Sequence, residues 1–240
     1  MNKTDLKLYA ITDRQWLHGA RLSEHVKLAI EGGATMIQIR DKDILSTDSD
    51  AGLKDEYNEA LEIKRICHEH KVPLIINDNV QFAIDIDADG VHLGQDDMNP
   101  AEARKLLGTD KIIGVTAKTV EQAKAAEAGG PIIWAWGHVS HRYQIGYLPG
   151  NGGDLKGHMP GGDIPVVAIG GIRADRIQPL KGTGPTECRG QRHFGQPDIE
   201  AAARRLKETA EMYLGRHRRR KTVLTIAGSD SSGGAGSRQT

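Results

Sequence analysis

Arg40 and Lys42, two cations spaced two apart in QIRDK, are the first residues of this chain whose spacing suggests chemistry. In an extended segment alternate side chains share a face, so a guanidinium and an ammonium can converge on one ligand. Together they suit a phosphate or a diphosphate. Two carboxylates, Asp78 in LIINDN and Asp97 in HLGQDD, follow two later apolar runs. Carboxylates beside an anionic ligand need a cation between them, and Mg2+ takes one or two carboxylates plus phosphate oxygens. Gly170 and Gly171, after PVVAI, let backbone N–H groups approach an anion. By themselves these residues suggest Mg2+-assisted chemistry on a diphosphate. The plainer reading makes Arg40 and Asp78 partners in ordinary rim salt bridges.

Something must hold these groups together. LYAIT (8–12) is followed by LSEHVKLAIEGG, ATMIQIR (34–40) by DEYNEALEIKRICHEH, VPLIIND (72–78) by VQFAIDI, and GVHLGQ (90–95) by PAEARKLLG. KIIGVTA (111–117) leads into TVEQAKAAEAGG, and IPVVAIGG (164–171) into ADRIQPLKG. The strand-like runs are almost continuously apolar, as in a parallel sheet buried on both faces. The helical runs carry apolar residues three and four apart, and several end at Gly. Six such units, with room for two more, predict an α/β fold of the (β/α)8 TIM-barrel type. A doubly wound sheet is the second choice, since no G-x-G-x-x-G follows the first strand. In a barrel the strand C-termini form the active-site rim. Thr12–Asp13, Gln38 to Lys42, Asn77–Asp78, His92 to Asp97, Thr116 and Gly170–Gly171 all fall there.

The chain's 240 residues suffice for one large domain with a substantial core. Lys and Arg balance Asp and Glu at 32 each, so no global charge points to nucleic acid or a membrane surface. No apolar run reaches the roughly 18 residues of a membrane span, and the N-terminus lacks a signal-peptide pattern. Cys67 and Cys188 are too few for a disulfide framework, which suits a reducing cytoplasm. The expected partners are small molecules.

In order and spacing, YAITD, QIRDK, LIINDN, ADGVHLGQDD, GVTAKT and PVVAIGGI resemble thiamine phosphate synthases (thiamine-phosphate pyrophosphorylases) over about 8–130, 163–184 and 194–209. The resemblance implies a transferase that couples hydroxymethylpyrimidine diphosphate to hydroxyethylthiazole phosphate and releases diphosphate. It implies that Gln38, Arg40 and Lys42 hold the pyrimidine diphosphate and that Asn77 helps bind the pyrimidine. Asp78 and Asp97 would bind Mg2+. Thr116 stands where the family usually has Ser and would face the diphosphate, and Gly171 would contact the thiazole phosphate. The implied mechanism is dissociative: diphosphate leaves, a pyrimidine cation forms, and the thiazole nitrogen captures it. It demands no strong general base, and His92 reads as a structural strand-end residue.

Residues 131–162 break the pattern. The family's Thr-x-Thr-Lys loop, which cradles the thiazole phosphate, is missing at 139–147. Permitted codons for 131–147, read one base out of frame, spell Ala-Asp-Tyr-Leu-Gly-Val-Gly and Met-Phe-Pro-Thr-Gly-Thr-Lys-Ser-Asp. Shifted codons for 190–193 give Val-Ser-Ala-Ile, and those for 237–240 give Ile-Gln-Ala-Asp. Strands 6 and 8 therefore read as garbled by small insertions or deletions, with IIWAWG still able to serve as strand 6 and TECRGQRH a poor core strand. DIEAAARRLKETAEMYLG reads as the last barrel helix. The expected organisation is a synthase barrel at 1–214, a basic linker at 215–222, and at 223–240 a fragment resembling the start of hydroxymethylpyrimidine kinase. A second reading follows from the missing loop: a non-catalytic barrel that binds the pyrimidine diphosphate but has lost the thiazole-phosphate site.

Overall fold

The computed structural model describes residues 8–40, 50–117, 122, 133–136, 166–168, 194–214 and 222–227. Eight parallel strands close into a barrel in chain order, so the (β/α)8 architecture is the one observed. The strands are β1 (Tyr9–Ile11), β2 (Met36–Ile39), β3 (Leu74–Asn77), β4 (Gly90–Leu93), β5 (Ile112–Ala117), β6 (Ile133–Trp136), β7 (Val166–Ala168) and β8 (Thr222–Ala227). The helices among the described residues are α1 (Leu22–Glu31), α2 (Asp50–Glu69), α3 (Val80–Asp85), α4 (Pro100–Leu107) and α5 (Ile199–Leu214).

Alternation along each strand sorts its side chains. Ala10, Ile37, Ile39, Leu74, Ile76, Val91, Leu93, Ile113 and Val115 join one apolar cluster with helix residues such as Val26, Ile63, Phe82 and Ala203. Their neighbours in sequence (Tyr9, Gln38, Ile75, His92) lie on the opposite face of each strand, which in a closed barrel is the interior. The Tyr9 and His92 rings confirm this. They stand on β1 and β4 yet meet edge to face at 6.3 Å between centroids, a contact made across the interior.

The register then stacks the rim. Ile11 pairs with Gln38, Gln38 with Ile75, Asn77 with His92, and His92 with Gly114. The loops that leave the rim are capped by short polar side chains. Asp13 accepts from the Gln15 amide, Asn79 from the Phe82 amide and Asn99 from the Ala101 amide, each satisfying a donor at the start of a helical turn.

The eighth strand described lies after α5. Thr222–Ala227, assigned from sequence to the linker and the kinase-like fragment, pairs with β7 through Val166↔Thr222 and with β1 through Tyr9↔Thr225. The physical reason lies in composition. Every residue of TVLTIA is either β-branched or apolar, which suits a parallel strand, whereas TECRGQRH carries two arginines and a histidine. α5, the helix before it, packs on α1, where the last helix of a regular barrel sits. Gly32 at the end of α1 makes the approach possible, because a Cβ there would lie 2.5 Å from Glu200 O and 2.6 Å from the Ala203 Cβ. The Phe194 ring stacks on His25 of α1 at 6.2 Å, and burial pushes the His25 pKa down.

Candidate active site

The site starts at Thr12, just past β1 and 1% exposed. Its N–H donates to Gln38 O at 2.9 Å, and its Oγ1 accepts from the Arg40 N–H at 3.1 Å. One buried hydroxyl therefore fixes the backbone that launches both Gln38 and Arg40. Gln38, also 1% exposed, points into the barrel and donates from Nε2 to Asn77 Oδ1 at 2.8 Å. Its Oε1 is buried with no hydrogen-bond partner among the described residues. A buried acceptor left open in this way calls for a donor.

Asp78 follows directly, and its carboxyl feels Asp97, Arg40 and Asn77. Asp78 has φ 62°, a left-handed conformation that costs a side-chain-bearing residue about 1 kcal/mol. Its amide is held by His92 O at 2.8 Å, which sustains that turn and aims the carboxyl along the rim. Asp97 folds back from the β4 loop, where its Oδ2 accepts from the Gly94 N–H at 2.6 Å. A Cβ on Gly94 would come within 2.9 Å of that oxygen, so the glycine leaves room for the carboxylate.

Two carboxyls this close cannot both ionise freely. The Asp78 pKa is raised from 3.8 to about 7. Desolvation is the first cause, then the hydrogen bond and like charge of Asp97, while Arg40 and Asn77 pull the value down. Asp78 keeps exposed surface as a residue, so the Asp97 contact is the firmer of the two causes. Two carboxylate oxygens with open water-facing positions fit Mg2+, which keeps several waters and takes ligand phosphate oxygens. No cluster of three or more His, Cys, Asp or Glu residues placed to hold a metal occurs among the described residues.

Thr116, near the end of β5, lies beside His92, with Oγ1 2.9 Å from Nε2. Its carbonyl accepts from Gln95 Nε2 at 2.6 Å. Of the site residues expected from sequence, Gln38, Arg40, Asn77, Asp78, Asp97 and Thr116 are thus brought to one rim. Lys42 and Gly171 lie outside the described residues. Sequence reasoning missed the Gln38–Asn77 side-chain bond, the anchoring by Thr12, and the pairing of His92 with Thr116. The one available signal was Gly114 in mid-strand, since a glycine there marks close approach by a neighbour.

No helix among the described residues is long and apolar enough to cross a membrane. A thiamine monophosphate synthase family model matches residues 8–188. The thiamine-phosphate synthase of Clostridium novyi is 42% identical over 181 residues, covering 74% of this chain and 85% of that protein. That of Persephonella marina is 37% identical over 220 residues, covering 89% of this chain and 100% of that protein. Among solved structures, a thiamine phosphate pyrophosphorylase from Pyrococcus furiosus superposes with a TM-score of 0.69 at 29% identity, covering 89% of this chain and 99% of that one.

Proposed function

We propose a reaction from one premise: this chain belongs to the thiamine monophosphate synthase family. It is a transferase of thiamine biosynthesis. It joins 4-amino-2-methyl-5-hydroxymethylpyrimidine diphosphate to hydroxyethylthiazole phosphate and yields thiamine phosphate and diphosphate. The bond from the pyrimidine methylene carbon to the diphosphate oxygen breaks, and a bond from that carbon to the thiazole nitrogen forms. The observation that carries this reading is one rim on which Thr12 holds the Arg40 backbone, Gln38 binds Asn77 beside Asp78, and Asp97 folds back onto Gly94, an arrangement suited to a cation-bound diphosphate.

Each residue has a task on this reading. Gln38 Oε1, open and buried, accepts an N–H of the aminopyrimidine, and Asn77 fixes the Gln38 amide so that this oxygen faces the ligand. Arg40, with Lys42 from the segment after β2, neutralises charge on the departing diphosphate. Asp78 and Asp97 would hold Mg2+, which supplies charge stabilisation to the leaving group when bound. Thr116 offers a hydroxyl to the same diphosphate, and the Gly171 backbone meets the thiazole phosphate. The barrel holds the second reactant against the first, so positioning does much of the work. With two cysteines, of which Cys67 is buried and free, the enzyme suits the cytoplasm.

A second reading is favoured by one observation, the missing Thr-x-Thr-Lys at 139–147. On that reading the chain binds the pyrimidine diphosphate and forms no product. Incubating the 240-residue chain with both substrates and Mg2+ separates the two. Thiamine phosphate and diphosphate released in equal amounts are expected. Tight binding of the pyrimidine diphosphate without either product would give the second reading the field.

A further inference from the structure

We propose that His92 is a positioning residue for the diphosphate end of the site: its Nε2–H donates to Thr116 Oγ1 and turns the threonine proton toward the anion. The inference deepens the functional reading above and rests on it. Four observations on this chain carry it. His92 is 6% exposed and faces the barrel interior, so its ring is a built part of the site. Its Nε2 lies 2.9 Å from Thr116 Oγ1. Its Cα partner across the sheet is Gly114, and a Cβ at Gly114 would fall 2.4 Å from Nδ1. Any larger residue there would force the ring or β5 to shift. The Tyr9 ring meets it edge-on from across the barrel and restrains it from the other side.

The direction of the bond follows from the ligand. A hydroxyl has one proton, and a diphosphate oxygen only accepts. If Thr116 gave its proton to a bare Nε2, its lone pairs would face the anion and repel it. If Nε2–H donates instead, the threonine proton is free to point at the diphosphate, and the two bonds polarise one another. Only the second tautomer agrees with an anionic ligand. The same residue fixes the metal side of the rim through its backbone, where His92 O accepts the Asp78 amide at 2.8 Å. A substitution that removes only the ring nitrogens leaves that backbone bond in place.

The test uses the full chain. Four variants, Thr116→Val, His92→Leu, His92→Gln and the Thr116→Val/His92→Leu double, are compared for kcat and KM toward the pyrimidine diphosphate, and their thermal melts are recorded. Thr116→Val and His92→Leu should each lower kcat/KM by roughly tenfold to a hundredfold, the size of one lost bond to a charged group. The double variant should be no worse than either single one, because both break the same relay. His92→Gln, whose amide also donates, should recover most of the loss. A full kcat/KM for His92→Leu, or losses that multiply in the double variant, would overturn the proposal. A second readout does not depend on turnover: the 15N shifts of the His92 imidazole should show the proton on Nε2. Finding it on Nδ1 would overturn the inference whether or not the chain is active. Absence of thiamine phosphate from the unsubstituted chain would instead count against the functional reading.

Discussion

From Tyr9 to Leu107 the described strands β1 to β4 alternate with the helices α1 to α4, while from Ile133 onward the described elements are the strands β6, β7 and β8 and the helix α5. β7 ends at Ala168 and β8 begins at Thr222, with α5 between them seated against α1. Every described side chain with a place in the site comes from the first part: Gln38, Arg40, Asn77, Asp78, His92, Asp97 and Thr116 all precede β6. In the second part, the described strands β6, β7 and β8 pair in turn and join β1. The contrast separates two tests, one of the described ligand-facing side chains and one of sheet closure. Lesions in the first part should remove activity and spare the fold, and lesions in β8 should remove both.

The largest effect is expected from ending the chain at Lys221. The truncated protein would expose the unpaired edges of β1 and β7, which are apolar strands that other chains can pair with. We expect no cooperative thermal transition by circular dichroism and aggregation on size exclusion. A melt as sharp as that of the full chain would return the β8 seat to some other segment and erase the contrast.

Next in size, Asp78→Asn and Asp97→Asn should each lower thiamine phosphate formation by about a hundredfold or more, as the loss of one electrostatic stabiliser of a leaving group does. The melting temperature should stay within a few degrees of the parent, since these carboxyls repel one another in the metal-free protein. A Mg2+ titration that reaches the same plateau at higher concentration would support a ligand role. A collapse of the fold in either variant would show that the rim also carries closure.

How far the sequence foretold this layout follows the same division. LYAIT, ATMIQIR, VPLIIND, GVHLGQ and KIIGVTA became β1 to β5 with ends shifted by one or two residues, because each run is apolar and bounded by polar or glycine residues. Asp78 and Asp97 were legible as neighbours because they end adjacent strands. The raised pKa of Asp78 was not, because the approach of the two carboxyls depends on a left-handed turn at Asp78 and on Gly94 letting Asp97 fold back. His92 and Thr116 are 24 residues apart, and only the register of β4 against β5 brings them together. TVLTIA, read from sequence by its likeness to another family, pairs with β7 and β1 as β8.

A smaller effect should follow Gly114→Ala. The added methyl would meet His92 Nδ1, so either the ring or β5 must move, at a cost of about 1–3 kcal/mol by denaturant melts. kcat/KM should fall with it if the ring is what moves. Stability lost with full activity would mean that the strand gives way instead, and that the first part of the barrel is softer than its continuous strand–helix pattern suggests.

The smallest effect is one of pH, and it isolates a single group. The Asp78 carboxyl titrates at about 7 in the folded chain against 3.8 for the free side chain. Between those values the folded chain holds a proton that the unfolded chain has released. Stability therefore falls as pH rises from about 4 to about 7 and is flat in this term above that. Asp78 keeps exposed surface, so solvent screening limits the effect to about 1 kcal/mol. Asp78→Asn should remove it, leaving a variant at least as stable as the parent at pH 8. Mg2+ reverses the bias, because it binds the carboxylates and not the acid. Its affinity should rise across the same window and level off above pH 7, with about one proton released per ion bound near pH 6. Calorimetry in two buffers of different ionisation enthalpy reads that proton directly. Mg2+ affinity that does not change between pH 5 and 8 would mean that the Asp78–Asp97 pair is a structural hydrogen bond and that the leaving diphosphate is neutralised by Arg40 and its neighbours alone.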